Sequence, residues 1–228
     1  HWLIAWLGLE LNTLAILPLM AKTHTPRATE STMKYFLTQA AASAVLLIAS
    51  TMNAYYTNQW AITELTTPPA AMMLTLALMM KLGIAPLHAW LPEVMQGTTL
   101  NMALVLATWQ KLAPFTLLYT LSHLLHAQTM LAMALLSTLI GGWGGLNQTQ
   151  LRKLMAFSSI AHLGWAISVM TMNKHLALTT LGLYISMTAT IFSTMASANI
   201  KALKDITTMW TIIPPAMTTL LLTLISLG

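Results

Sequence analysis

The sequence predicts an all-α protein in which a bundle of helices crosses a membrane several times. Hydrophobic residues make up 57% of its 228 residues and charged residues only 7%, whereas a soluble domain carries about 25% charged residues. The mean hydropathy is +0.70. Apolar runs approach the length of about 20 residues that a bilayer helix needs, and no long polar linker separates them. We therefore expect a single transmembrane domain over residues 1–228.

The apolar runs and the basic residues between them together define a topology. We assign successive connections to alternate sides of the membrane. Seven of the ten basic residues then lie on one side and one lies on the other, while the remaining two lie inside apolar runs. The positive-inside rule places the seven-charge side, with loops 21–34, 147–153 and 199–208, in the cytoplasm or the mitochondrial matrix. Eight runs are predicted to be spans, some with proline interruptions: 2–20, 35–54, 69–91, 100–121, 128–146, 154–172, 176–198 and 209–228.

The composition also excludes several functions. The chain has no cysteine, which excludes disulfides, a thiol nucleophile and iron–sulfur clusters held by thiolates. No glycine-rich nucleotide loop occurs, and the few charges form no basic face for nucleic acid. The glycine cluster 141–145 is interpreted as close helix packing or a turn. We also expect no signal peptide, since no basic n-region precedes an apolar run and cleavage site.

The first and third apolar runs each hold an ionisable residue near the middle. Glu10 lies in the first run, and Lys81 is the one charge in the run from Pro68 to Pro92. If the third run is one helix, Lys81 and His88 share a face and lie about 10 Å apart along the axis, a separation that suits a relay through water. Pro86 would then interrupt the helix and leave the carbonyl of Leu82 without its usual partner.

The fourth and sixth runs repeat parts of this pattern. Lys111 lies near the middle of the fourth run, and Pro114 follows it by three residues, which predicts a free carbonyl at Gln110. In the sixth run, Ser158 and His162 are four residues apart and therefore share a helical face. Glu10, Lys81 and Lys111 are thus expected at mid-depth on three different helices.

Ionisable side chains at this depth need an explanation, because a lysine at a bilayer centre costs about 2.5–3.5 kcal/mol. One interpretation is a structural pair between Glu10 and a lysine. The other is a proton path, in which a change in the distance between Glu10 and Lys81 makes the lysine release or rebind a proton. His88 and His162 are secondary candidates for relay groups. Each could instead be a hydrogen-bonded packing residue, and the pair could be axial haem ligands.

Several stretches resemble a known family. The segments HWLIAWLGLELN, MKLGIAPLHAWLPEVMQG, WQKLAP and GGWGGLNQTQLRKLMAFSSIAHLGW are similar to antiporter-like membrane subunits of mitochondrial NADH–ubiquinone oxidoreductase, respiratory complex I. The resemblance implies a proton-translocating relay of Glu10, Lys81 and Lys111, which match the family's helix-five glutamate, broken-helix lysine and helix-eight lysine. It also implies further chain at both ends, with another polar residue of the path beyond Gly228.

The resemblance has further implications for cofactors, partners and location. The chain is expected to hold no cofactor, while NADH, FMN, iron–sulfur clusters and ubiquinone bind to other subunits. Its partners would be other membrane-arm subunits, including neighbouring antiporter-like ones, and the lipid of the mitochondrial inner membrane. Two alternatives stay open: a subunit of a stand-alone cation/proton antiporter, and a purely structural membrane subunit.

Overall fold

The all-α class is confirmed by a computed structural model that describes residues 1–198, 202–205, 210 and 214–226. Within these ranges no strand occurs beyond one isolated bridge between Gln150 and Ala202. The named helices in the described part of the chain are α1 (Trp2–Ala21), α2 (Pro26–Thr57), α3 (Pro68–Leu82), α4 (Trp90–Gly97), α5 (Leu100–Ala107), α6 (Trp109–Leu121), α7 (Ala127–Leu146), α8 (Leu151–Met172), α9 (Lys174–Ser197) and α10 (Pro214–Ser226).

Five of the described helices, namely α1, α2, α7, α8 and α9, are long and apolar enough to cross a membrane. The chain is therefore a multi-pass membrane protein, but the predicted count of eight spans is not confirmed. The predicted span 69–91 contains α3, a turn and only the start of α4, and the predicted span 100–121 consists of the two helices α5 and α6. The last predicted span, 209–228, lies partly outside the described residues, and its described part contains the 13-residue helix α10.

The first interruption follows α3 and has a clear backbone cause. Gly83 has φ +76°, a left-handed conformation that glycine adopts without steric cost and that commonly ends helices. The peptide bond before Pro86 is cis. Because the helix ends at Leu82, Lys81 and His88 do not share a helical face, and that prediction is wrong.

The carbonyl groups at the end of α3 are bonded by side chains from other elements. The indole Nε1 of Trp90 donates to the carbonyl of Met80 at 3.2 Å, and the amide Nε2 of Gln39 donates to the carbonyl of Lys81 at 3.4 Å. Hydrocarbon offers no partner for a free carbonyl, so a helix can end inside a membrane only where such partners exist. These two contacts therefore stabilise the interruption beside Lys81.

The second interruption lies at Thr108, between α5 and α6, and not at Pro114 as predicted. Thr108 has φ −113° and ψ −70°, and the amide of Lys111 donates to the carbonyl of Thr108 at 3.2 Å. The carbonyl of Ala107 accepts a hydrogen bond of 3.1 Å from the hydroxyl of Tyr184 in α9. Pro114 instead lies inside α6.

Close packing of α7 against α8 confirms one reading of the glycine cluster. A Cβ atom on Gly141 would lie 2.6 Å from the backbone nitrogen of Ala161, and one on Gly144 would lie 2.4 Å from the Phe157 ring. The cluster lies in the last turns of α7 and not in a loop. The glycines therefore permit an approach that a larger residue would prevent.

The basic loops gather at one end of the bundle. The side chains of Gln96 and Gln150 hydrogen-bond at 2.6 Å, and Arg152 donates to the carbonyl of Thr98. Leu203 donates to the carbonyl of Thr149, so the described part of loop 199–208 adjoins loop 147–153. Lys201, which was assigned to the same side, lies outside the described residues.

Candidate functional site

Lys81 lies inside the bundle on the last turn of α3. The residue is only 5% exposed, and its ammonium nitrogen lies 3.5 Å from the backbone carbonyl of Gln39 in α2. This contact is at the long limit for a hydrogen bond. Lys81 is therefore buried with one weak neutral acceptor, and no carboxylate among the described residues lies within ion-pair distance of it.

Glu10 lies near the middle of α1, and its charge acts on two groups in neighbouring helices. These groups are the ammonium of Lys81 and the hydroxyl of Tyr35. The Oε2 atom of Glu10 is buried and has no hydrogen-bond partner in the described part of the chain. Glu10 is therefore close enough to interact electrostatically with Lys81 without an ion-pair contact.

A group of neutral polar side chains connects α1, α2 and α6. The amides of Asn12 and Gln110 bond reciprocally, with Nδ2 to Oε1 at 2.9 Å and Nε2 to Oδ1 at 3.3 Å. The hydroxyl of Tyr35 also donates to Oε1 of Gln110, at 3.2 Å. We define Asn12, Tyr35 and Gln110 as the amide cluster. Asn12 follows Glu10 by two residues in α1, and Gln110 directly precedes Lys111 in α6.

Lys111 follows Gln110 directly and is 3% exposed. Its nitrogen lies 5.5 Å from the centroid of the Tyr184 ring and has no hydrogen-bond partner among the described residues. The Tyr184 ring in turn contacts the ring of His162 in α8, with centroids 5.8 Å apart. The structure therefore places Lys111 and His162 next to the same tyrosine ring.

His88 lies apart from this group, in the turn between α3 and α4. It lines a cavity of about 290 Å³ together with Glu93, Gln148, Lys153 and Phe157. Its Nδ1 atom is buried and has no partner in the described ranges. The cavity adjoins the basic end of the bundle, since Lys153 lies in the first turn of α8. His88 and His162 thus have different surroundings.

No metal centre is evident in the ranges that the structure describes. They contain no group of three or more histidine, aspartate or glutamate side chains close enough to hold an ion. The buried polar atoms instead suit proton chemistry, because amines, carboxylates, phenols and imidazoles can each donate and accept a proton depending on their charge.

Sequence reasoning missed several polar residues of the site. Tyr35 and Gln39 are four residues apart on one face of α2, and both are buried. Gln110 and Tyr184 also lie in apolar runs. Their presence in apolar runs could have identified them, because an amide or hydroxyl group in a membrane helix needs a hydrogen-bond partner. The partners could not be identified from spacing, since they lie on other helices.

The whole chain matches one family model. Residues 1–228 match the model described as NADH:quinone oxidoreductase/Mrp antiporter, TM. The NADH-ubiquinone oxidoreductase chain 2 of Latimeria chalumnae is 55% identical over 227 residues, covering 100% of this chain and 65% of the relative. The chain 2 of Xenopus laevis is 52% identical over 228 residues, covering 100% and 66%. The chain therefore spans 65–66% of the length of these curated relatives.

Solved structures share the fold. A chain of respiratory complex I from Thermus thermophilus with bound Aureothin superposes with a TM-score of 0.77 at 26% identity, covering 89% of this chain and 47% of that one. A chain of the Mrp complex from Dietzia sp. DQ12-45-1b gives a TM-score of 0.69 at 16% identity, with 75% and 35% covered. The second likeness concerns the fold alone.

Proposed function

The chain belongs to the NADH:quinone oxidoreductase/Mrp antiporter membrane family, and we propose that it is a core membrane-arm subunit of NADH–ubiquinone oxidoreductase that translocates protons. The proposed relay consists of Glu10, Lys81 and Lys111, with His162 and His88 as further candidates. Residues 1–228 form one antiporter-like domain in this proposal, and the curated relatives named above carry the oxidoreductase name.

The observation that carries the proposal is the distribution of buried polar atoms without a protein partner. Four such side-chain atoms occur among the described residues, and three of them belong to Glu10, His88 and Lys111. A buried polar atom that no protein group bonds needs another partner, such as a water molecule. Its presence on three of the five predicted site residues supports a use other than packing, since each can bind or release a proton.

The geometry also weighs against a purely structural ion pair. Within the described ranges, the ion pairs closer than 4.0 Å are those of Lys34 with Glu30 and with Glu93. Glu10 forms no such contact with Lys81 or Lys111. A structural role would be served best by direct contact and full hydrogen bonding. Because Glu10 and Lys81 interact without direct contact, either side chain can gain or lose a proton without breaking an ion pair.

A series of electrostatic and hydrogen-bond interactions supports a lateral route across the bundle. The charge of Glu10 acts on Lys81 and Tyr35, Tyr35 bonds Gln110, and Lys111 follows Gln110 in α6. The Tyr184 ring then lies next to both Lys111 and His162. The proposed route crosses from α1 to α8.

The proposal includes the surroundings of the chain. The basic loops face the mitochondrial matrix under the positive-inside rule, and the membrane is the mitochondrial inner membrane. Other subunits bind NADH, FMN, iron–sulfur clusters and ubiquinone, and this chain carries no cofactor. Exposed apolar side chains face lipid or neighbouring antiporter-like subunits, as at Ile4, Leu146 and Met172.

The experiment uses the full-length chain in its assembled respiratory complex, reconstituted in liposomes. Glu10→Gln, Lys81→Met and Lys111→Met should each reduce the protons moved per electron and the coupled turnover by tenfold or more, an order-of-magnitude expectation for buried relay groups. Lys174→Met is the matched control, because this lysine lies at the start of α9, at the end of the bundle opposite the basic loops. Normal pumping in all three buried variants would refute the proposal.

The same preparation separates the two remaining alternatives. A stand-alone cation/proton antiporter would exchange sodium for protons in liposomes without NADH-linked partners. A structural subunit would show reduced assembly in the variants, with normal proton transport per electron in the complexes that do assemble.

A further inference from the structure

The Asn12–Gln110 pair joins the helix of Glu10 to the helix of Lys111. Both hydrogen bonds of the pair are reciprocal, so each amide donates to the other and accepts from it. Asn12 lies two residues after Glu10 in α1, and Gln110 directly precedes Lys111 in α6. The two residues are separated by 98 positions in the sequence, so only the tertiary fold brings them together.

Amides do not titrate in the physiological range, so these two side chains cannot carry a proton by ionising. They also do not touch a substrate. What they can do is set the position of one helix relative to the other. Helices α1 and α6 otherwise meet along a short contact, and the amide pair is the polar part of it.

We propose that the Asn12–Gln110 amide pair is a positioning element that couples movement of the Glu10 helix to the state of Lys111. This inference rests on the proposed function, because it assigns a role within the same relay. When the pair is closed, α1 and α6 keep a fixed register at this level. A displacement of α1 that alters the distance between Glu10 and Lys81 must either carry Gln110 with it or break both hydrogen bonds.

Tyr35 extends the coupling to α2. Its hydroxyl donates to Oε1 of Gln110, the same oxygen that accepts from Asn12. Its hydroxyl is also one of the groups on which the charge of Glu10 acts. If the amide pair opens, Oε1 of Gln110 loses the donor from Asn12 and keeps at most the one from Tyr35. When the pair closes, this oxygen again accepts from both side chains. The proposed coupling requires a second arrangement, in which the amide pair is open.

The test measures protons moved per electron, electron-transfer rate and assembly for the full-length chain in its reconstituted complex. Asn12→Leu and Gln110→Leu should each lower protons per electron by about two- to fivefold, with little change in uncoupled electron transfer. The double variant should be no worse than the more affected single variant, because both changes remove the same pair. Gln128→Leu, an exposed amide at the start of α7, is the matched control.

A swap of the two amides tests the pair directly and does not depend on the leucine variants assembling. Asn12→Gln alone adds one methylene to the pair and should lower the protons moved per electron. Asn12→Gln combined with Gln110→Asn should restore coupling, because the summed length of the two side chains is unchanged. Rescue supports the positioning role. Normal coupling in Asn12→Gln, a failure of the swap to rescue, or additive losses in the leucine double variant would each overturn it.

The failure of this inference can be distinguished from failure of the proposed function. If Lys111→Met abolishes pumping and the amide variants behave as wild type, only the coupling is refuted. If Lys111→Met itself pumps normally, the relay is refuted, and any effect of the amide variants is then a structural one.

Discussion

The ammonium nitrogen of Lys111 lies 5.5 Å from the centre of the Tyr184 ring, and the described residues offer it no hydrogen-bond acceptor. The face of an aromatic ring attracts a cation by about 0.5–2 kcal/mol, which is far less than the cost of leaving a buried charge unpaired. Tyr184 therefore favours an ammonium at this place without holding it in an ion pair.

The Tyr184 ring gives the first prediction. Tyr184→Leu removes the aromatic face and should lower coupled turnover by about two- to thirtyfold, the range that corresponds to a cation–ring attraction. Tyr184→Phe keeps the ring and loses only the hydroxyl that bonds Ala107, so its turnover should stay closer to wild type. Proton pumping in the reconstituted complex measures both. Equal losses in the two variants would show that the hydroxyl, and not the ring, matters.

The indole of Trp90 gives the second prediction, which concerns stability. Trp90→Phe removes one of two donors to the carbonyl of Met80, because the amide of Gly83 also donates to it at 3.2 Å. The variant should lower the free energy of unfolding by about 0.5–1.5 kcal/mol, the net contribution of one hydrogen bond. A lower melting temperature of the purified subunit or complex measures the effect. Trp143→Phe is the control, because Trp143 is 78% exposed. A similar shift in both variants would contradict the capping role.

The contact between α7 and α8 gives the third prediction. A Cβ atom on Gly164 would lie 2.1 Å from Oγ of Ser137 and 2.7 Å from the carbonyl of Ala134. Gly164→Ala should therefore separate the two helices and reduce the amount of folded chain, at a cost of about 1–3 kcal/mol or more for overpacking. Gly142→Ala places its Cβ in open space and should be tolerated. Thermal unfolding and yield distinguish the two variants.

The exposed charges at the basic end give the fourth prediction. Lys34 contacts Glu30 at 2.5 Å and Glu93 at 2.6 Å, and its side chain is 42% exposed. Exposed ion pairs contribute little and are screened by salt. Lys34→Gln should therefore leave pumping nearly unchanged, and any stability difference should disappear at roughly 1 M salt. A loss of pumping comparable to that of Lys81→Met would show that this lysine belongs to the proton route.

The sequence predicted the fold class and the buried charges for a direct physical reason. Hydrocarbon penalises charge and free backbone groups, so an apolar run must be helical and a lysine within it must be exceptional. Lys81 and Lys111 were identified on this basis, and both are buried. The grouping of the basic loops at one end also followed from alternation of the runs along the chain.

The interruptions were predicted less well. The prolines at 86 and 114 indicated breaks near the two lysines, but the helices break earlier, at Gly83 and Thr108. A proline marks a residue that cannot continue a helix. The residue at which the helix ends depends also on which carbonyls find other donors, as Trp90 provides for Met80.

The sequence by itself determined that this chain is an α-helical membrane protein with a glutamate and two lysines held among apolar residues. Only the tertiary structure decided which polar groups meet them: Gln39 beside Lys81, Tyr184 beneath Lys111, and the amides of Asn12 and Gln110 between α1 and α6. These partners lie 42 to 98 positions apart in the chain. Helical periodicity relates residues only within a few turns, and contacts at longer separation depend on how whole helices pack.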